Sequence, residues 1–423
     1  MNHFTYRGGE FCCEDVRLSE IARAVGTPVY VYSTATLEHH FAVFKAALAP
    51  REVLVAFAVK ANANIAVLAT LARRGAGADV VSQGEIERAL AAGVASDRIV
   101  FSGVGKTQAE LAFAVDANLH QINVESAAEL QTLSDIAHAK KKRPVIALRV
   151  NPDVGAGAHD KISTGGGEAK FGIPLEASAE LYARAAADPH LAAVGLAVHI
   201  GSQIRDLAPL ERTFRALRGL TEQLRRAGLA VSRLDLGGGL GVPYFNEPAP
   251  PSPQDYAAMI SRAFGDMSAD LICEPGRMIA ANAGVLLARV LRVQDRARPV
   301  LVLDAGMNDL IRPAIYGAFH EIKPLTQPIS DATQSYDVVG PICETGDTFA
   351  RARALPPLTG EDYLAFMTAG AYGATMSSTY NGRPLVPEVL VRGGAFELVR
   401  RRWSLADQLA LEQLPAWLQD PAG

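Results

Sequence analysis

From about Val53 to Glu274, short β-branched and apolar runs alternate with Ala/Leu/Glu/Arg-rich stretches of helical period. The runs are Val53–Val59, Ala78–Val81, Ile99–Ser102, Gln121–Val124, Val145–Val150, Gly195–Ile200, Arg233–Leu236 and Asp270–Glu274, eight in all. Between them lie amphipathic segments such as Leu210–Ala227. A strand period of two that switches repeatedly to a helix period of 3.6 predicts βα units on a parallel sheet. Eight such units predict a closed (β/α)8, TIM-like barrel.

After Arg277 the helical stretches thin out, and Gly284–Gln294, Pro299–Ala305, Tyr336–Val339, Tyr363–Met367 and Glu388–Val391 predict an antiparallel β domain. Thr5–Cys13 and Pro28–Tyr32 also have strand pattern, and a terminal strand is usually tied down by joining a sheet, so the first residues are assigned to that domain. The fold class expected is α/β plus all-β: a barrel over residues 33–280, and a β-barrel or sandwich domain from residues 1–32 plus 281–423. Two segments rich in chain breakers, Gly155–Gly167 and Phe245–Pro253, are expected to be loops, the first a candidate lid over an active site.

A length of 423 residues agrees with two domains, and 49% hydrophobic with 20% charged residues is globular composition. The net charge of −4 offers no general attraction to nucleic acid or to an anionic membrane, so neither is an expected partner. Met1 to Glu10 has no apolar centre and no run of about 18 apolar residues occurs, which leaves export and membrane spanning unsupported. The four cysteines, Cys12, Cys13, Cys273 and Cys343, are too few and scattered for a disulfide framework and lack zinc-site spacing. A reducing cytoplasm is the expected location and no metal is expected.

Four segments at predicted strand ends carry candidate chemistry. In Ala56-Phe57-Ala58-Val59-Lys60-Ala61-Asn62 a lysine closes an apolar strand, at the rim where barrels keep their sites, and a partly desolvated lysine there can form a Schiff base. In Leu234-Asp235-Leu236-Gly237-Gly238-Gly239-Leu240-Gly241 three glycines follow a late strand, leaving N–H groups to converge on a phosphate; a tight turn explains them equally well, and the spacing matches neither a P-loop nor a dinucleotide fingerprint. In Ile272-Cys273-Glu274-Pro275-Gly276-Arg277 a buried carboxylate could keep a pyridine nitrogen protonated, which points to carbanion chemistry, while Arg277 offers a planar fork for phosphate or carboxylate. His199 ends another strand, where an imidazole can stack on an aromatic cofactor or move protons, and Asp79 is a weaker candidate for the same rim.

In the β domain, Arg312 and Tyr316 are four apart and share a face if helical, which suits a carboxylate. Gly340-Pro341-Ile342-Cys343-Glu344-Thr345-Gly346-Asp347 puts a thiol beside a carboxylate on a glycine-bounded loop, and Ala369-Gly370-Ala371-Tyr372-Gly373 sets a tyrosine among small residues. Taken singly, each of these is more often a turn than a site.

Read in order, these segments resemble the alanine-racemase-like, fold-type III pyridoxal-phosphate decarboxylases, from Gly26-Thr27-Pro28-Val29-Tyr30-Val31-Tyr32 to Tyr372. The resemblance implies pyridoxal 5'-phosphate as cofactor, with Lys60 as its Schiff-base lysine, His199 stacked on its ring, Gly237, Gly238 and Gly239 on its phosphate, and Glu274 at the pyridine nitrogen. Asp79, Gly276, Arg277 and Tyr372 are further cofactor contacts on the same grounds. It also implies a homodimer with shared sites, in which Cys343 and Glu344 serve the site of the other subunit. Cys343 would then protonate Cα after carbon dioxide leaves, with Arg277, Arg312, Tyr316, Glu344 and Tyr372 on the substrate.

Within the family, the ornithine-type members resemble one another in an Asp after the cysteine, whereas Cys343-Glu344-Thr345-Gly346-Asp347 resembles the branch acting on diaminopimelate, with Thr345 where Ser is common. The function implied is decarboxylation of meso-2,6-diaminopimelate at its D-centre to give L-lysine. A decarboxylase of ornithine, arginine or carboxynorspermidine is the alternative, and a non-catalytic, cofactor-binding regulatory homologue is another. The racemase-type relatives place an arginine at the pyridine nitrogen, where this chain has Glu274.

Overall fold

The computed structural model describes residues 2–155, 164–166, 170–244 and 249–419. It divides into two compact units, Thr34–Ala283 and His3–Ser33 with Gly284–Gly423.

The first unit is a closed barrel of eight parallel strands, β1 Val53–Ala58, β2 Gly77–Val80, β3 Ile99–Phe101, β4 Gln121–Val124, β5 Val145–Asn151, β6 Ala192–Ala197, β7 Arg233–Asp235 and β8 Asp270–Cys273. Each pairs with the next, and β8 pairs with β1 to close the ring. The helices between strands start where polar caps stand: Asn64, Ser82, Ser126 and the capping boxes Thr107/Glu110 and Ser252/Asp255 hold the first free N–H groups. Helix Ala208–Arg226 buries Leu210, Phe214, Leu217, Leu220 and Leu224 on one stripe, the face that the sequence period assigns to the barrel. The buried Ala56, Val100 and Ile272 cluster in the barrel core, whereas Asp79, Asn123 and Asp235 bring buried polar groups to the same ring of strands.

Strand β6 begins three residues before the expected Gly195–Ile200 and stops at Ala197. A Cβ at Gly195 would come 2.0 Å from the carbonyl oxygen of Arg233, so a residue of poor strand propensity is required mid-strand by the close approach of the neighbour. His199 consequently lies beyond the strand, on the rim loop.

The second unit is built on a largely antiparallel sheet in the order Thr348–Leu355, Gln334–Val339, Val300–Leu303, Gly284–Gln294, Val29–Ser33, Glu388–Arg392 and Ala395–Arg400, with Tyr363–Phe366 paired off Gly284–Gln294 and Ile322–Pro324 paired in turn with Tyr363–Phe366. Two pairs are parallel, Val300–Leu303 with Gln334–Val339 and Val29–Ser33 with Glu388–Arg392. The stretch expected as one strand, Thr5–Cys13, is a hairpin: Gly8 and Gly9 take positive φ (57° and 83°) and turn Phe4–Arg7 back on Glu10–Cys13. Helix Leu18–Val25 follows and seals a core of Phe4, Phe11, Cys13, Ile21, Val31 and Val285.

Most of the Gly155–Gly167 segment, the candidate lid, lies outside the described residues. Among the described residues no helix is long and apolar enough to cross a membrane, and no cluster of three His, Cys, Asp or Glu side chains could hold a metal ion.

Candidate active site

At the carboxyl ends of the barrel strands, Lys60 sits in a single 3-10 turn, Val59–Ala61, that follows β1. Its Nζ donates to Asp79 Oδ2 from β2 at 2.7 Å. Asp79 is fully buried while the lysine side chain keeps 34% of its exposure. The expected desolvated lysine is therefore an ion-paired one, steered by a carboxylate and still open to a reactant.

His199 Nδ1 accepts the N–H of Gly238 at 3.2 Å, which puts the ring proton on Nε2. Burial, with Lys60 and Arg149 adding positive charge, pushes the imidazole well below its usual value, so the ring is neutral at physiological pH. A neutral, half-enclosed ring of fixed tautomer suits stacking.

The glycine run differs in detail from the sequence expectation. The N–H of Gly237 is donated to Asp235 Oδ1 at 3.0 Å and that of Gly238 to His199, so neither is left free. The glycines are there because side chains do not fit: a Cβ at Gly237, Gly238 or Gly239 would meet the carbonyl oxygens of Val198, Glu274 and Gly201 at 2.3, 2.1 and 2.4 Å, and Gly237 and Gly239 have positive φ. Gly238→Ala is expected to cost roughly 1–3 kcal/mol by overpacking and to abolish cofactor retention, which melting curves and absorbance of the purified protein measure together.

Glu274 follows β8, with its N–H on Gly237 O at 2.8 Å. Burial, with Asp235 and Asp79 nearby, raises its carboxyl well above the usual range. Its Oε1 is buried without a hydrogen-bond partner among the described residues. An orphaned acceptor in a low-dielectric site costs about 1–3 kcal/mol, which a ligand N–H would recover. Beside it, a Cβ at Gly276 would lie 2.9 Å from that of Ala58, so glycine lets Arg277 begin its helix against β1. Arg277 is buried and its fork is held by Tyr244 Oη (2.6 Å) and Ser202 Oγ (3.0 Å). Neither Tyr244 nor Ser202 is singled out by the sequence; Ser202 stands three residues after His199, and Tyr244 gives no local signal.

A raised carboxyl binds its proton more tightly in the fold than in the unfolded chain, so its contribution is complete below about pH 4.3 and is lost as pH climbs toward the raised value. Glu274→Gln is therefore expected to raise the melting temperature of the cofactor-free protein at pH 8 by a few degrees, with little change at pH 4. An equal shift at both pH values would contradict this.

In the second unit, helix Arg312–Tyr316 is short, opened by Pro313 and closed by Gly317 in the left-handed region. It sets Arg312 and Tyr316 one turn apart, on one face as expected. Buried Arg312 donates through Nη1 to His320 Nε2 at 2.9 Å, and His320 Nδ1 donates to Met367 O at 2.8 Å, which fixes that ring's tautomer. The Gly340–Asp347 loop is pinned by buried Asp347, which accepts Ile342 N (2.7 Å) and Met307 N (2.6 Å). Cys343 and Glu344 are both exposed on it, Cys343 N donating to Asn381 Oδ1 at 3.1 Å. Tyr372 is held at φ +57°, a conformation costly for an aromatic residue and one that clusters at functional sites. The candidates thus form two groups: Lys60, Asp79, His199, Gly237–Gly239, Glu274, Gly276 and Arg277 on the barrel, and Arg312, Tyr316, Cys343, Glu344 and Tyr372 on the β unit.

A strand-end lysine beside a carboxylate, a neutral imidazole, a glycine turn and an unpartnered buried carboxyl oxygen together fit a phosphorylated pyridine aldehyde. Comparison with known families bears on this directly: residues 34–281 match the family "Pyridoxal-dependent decarboxylase, pyridoxal binding domain". The chain belongs to the pyridoxal-dependent decarboxylases, and within them to the group formed by the diaminopimelate decarboxylases. It is 47% identical to the diaminopimelate decarboxylase of Zymomonas mobilis subsp. mobilis over 98% of this chain and 99% of that protein. Among solved structures, the diaminopimelate decarboxylase of Helicobacter pylori complexed with L-lysine is 38% identical at TM-score 0.90, covering 93% of this chain and 99% of that one. That of M. jannaschii in co-complex with L-lysine is 34% identical at TM-score 0.93, covering 99% and 100%. Pyridoxal phosphate is the cofactor, and the chain is a carboxy-lyase.

Proposed function

We propose that this enzyme removes the D-centre carboxylate of meso-2,6-diaminopimelate to give L-lysine, the last step of lysine biosynthesis. The observation that carries the reading is the near full-length identity to diaminopimelate decarboxylases, together with a glutamate at 344 beside Cys343. When bound, pyridoxal phosphate supplies an aldehyde for the substrate amine and a ring that accepts the electron pair of the breaking bond. Lys60 Nζ would hold the cofactor's aldehyde carbon, and Asp79 would steer that amine. His199 would stack on the cofactor ring, and Glu274 would hold the proton at its pyridine nitrogen. The side-chain-free Gly237–Gly239 turn, with Gly276 and Arg277 beside it, would leave room for the phosphate rather than grip it through the Gly237 and Gly238 N–H groups, and Tyr372 would contact cofactor and substrate.

Cys343 Sγ donates a proton to the carbon that has lost carbon dioxide. Arg277, Arg312, Tyr316 and Glu344 bind the distal ammonium and carboxylate, the second charge being what separates this substrate from ornithine. The working form is a homodimer in which Cys343 and Glu344 act in the partner's site; a thiol and a carboxylate on a pinned loop, both exposed on the single chain, support it. Four free cysteines, three buried, support action in the cytoplasm.

Rates with meso-diaminopimelate, its L,L-isomer and L-ornithine test the reading. The meso compound is expected to exceed ornithine by about a thousandfold in kcat/KM, roughly 4 kcal/mol for the unpaired distal carboxylate site. Comparable rates with ornithine would refute the assignment to Glu344, Arg312 and Tyr316.

A further inference from the structure

Behind Glu274 the barrel holds a second buried carboxyl, Asp235 on β7. Both are buried at the ends of paired strands, and two like charges brought together out of water do not both stay ionised, so the pair shares one proton. The rest of the network decides where it sits. Arg233 Nη1 donates to Gln121 Oε1 (3.4 Å), Gln121 Nε2 to Asn123 Oδ1 (2.7 Å), and Asn123 Nδ2 to Asp235 Oδ2 (2.9 Å). Each amide's orientation is fixed by the donor before it, so the chain of donors points one way, towards Asp235. The N–H of Gly237 adds a donor to Oδ1 at 3.0 Å. Asp235 thus collects two donors, while Glu274 Oε1 has none among the described residues.

We infer that Asp235 is the ionised member of the pair, that the shared proton resides on Glu274 in the cofactor-free protein, and that Asp235 is the positioning residue that orients Glu274 and sets its proton affinity. It rests on the reading of Glu274 as partner of the ring nitrogen. Through Gly237 the same carboxylate ties that end of the site to the glycine turn.

The charged and titratable groups around the pair are consistent with one proton. Asp79 on β2 adds negative charge and Lys60 after β1 opposes it; Tyr256 and Cys273 lie alongside, both raised by burial and neutral, and Arg233 stands at the far end of the relay. Leaving Asp79, Asp235 and Glu274 all ionised against Lys60 would strand a net charge of about −2 in the barrel, which one retained proton halves.

Infrared titration of the cofactor-free protein tests this without cofactor or substrate, so its result is separable from any failure of the proposed function. At pH 8, above the values of about 7 that burial gives Glu85 and Asp309, the carbonyl stretch of a protonated carboxylic acid is expected, and Glu274→Gln should remove it. Asp235→Asn should lower the proton affinity of Glu274 about tenfold or more, read as an earlier loss of the band with rising pH. In the loaded enzyme Asp235→Asn should cut kcat about 10- to 100-fold and leave KM within about threefold, a split that a purely structural role would not give. If Asp235→Asn does not fold, Asn123→Ala withdraws one donor and moves the proton towards Asp235, so the band should then survive Glu274→Gln. A band indifferent to Glu274→Gln in the otherwise unaltered chain, or a Glu274 titration unmoved by both Asp235→Asn and Asn123→Ala, would overturn the inference.

Discussion

Lys60→Ala is expected to lower the decarboxylation rate by about ten-thousandfold or more, roughly 5.5 kcal/mol of transition-state stabilisation. The reason lies in the placement of the side chain. Nζ is the amine that the rim offers next to Asp79, and the 3-10 turn after β1 leaves it a third exposed while its partner is fully buried. Removing it deletes the covalent anchor and leaves Asp79 as an unpaired buried charge, so the variant should also lose the visible absorbance of the bound cofactor. Added methylamine should restore part of the rate if the loss is chemical. A Lys60→Ala protein that retains a tenth of the activity would remove the lysine from the chemistry.

Cys343→Ala should cost about 10²- to 10⁴-fold in kcat, the range of a positioned proton donor. It should not disturb the fold, since the side chain is exposed and the loop is held instead by Asp347, Asn381 and their backbone partners. Mixed with Lys60→Ala in equal amounts, the two inactive proteins should recover about a quarter of normal activity, because random exchange makes half the dimers mixed and each mixed dimer keeps one intact site of two. No recovery after verified exchange would place Cys343 in its own chain's site.

Much of this was legible before any coordinates. The barrel strands announced themselves through β-branched runs, and Gly284–Gln294 was bounded correctly because Val and Leu dominate its 11 residues. Local pattern failed where tertiary contacts overrode it. Gly195 is mid-strand because a neighbour's carbonyl excludes a side chain, and Thr5–Cys13 folds back at Gly8–Gly9. Thr348–Leu355 went unnoticed because its arginines, Arg351 and Arg353, dilute the apolar pattern. In the site, residues that end strands were visible as anomalies: a lysine after an apolar run, a glutamate before Pro-Gly. Those that act by holding others were not. Asp235 reads as one more strand residue, and Asn123 and His320 give no sign in sequence of the donors they direct at Asp235 and accept from Arg312. Hydrogen-bond direction is a property of three-dimensional order, and no spacing rule encodes it.

The most direct test of the account is the release of carbon dioxide and L-lysine from meso-diaminopimelate by the purified protein with pyridoxal phosphate. Equimolar carbon dioxide and L-lysine, formed by the unaltered chain and not by Lys60→Ala, is the predicted result. Bound cofactor without carbon dioxide release, or a product other than lysine, would contradict it.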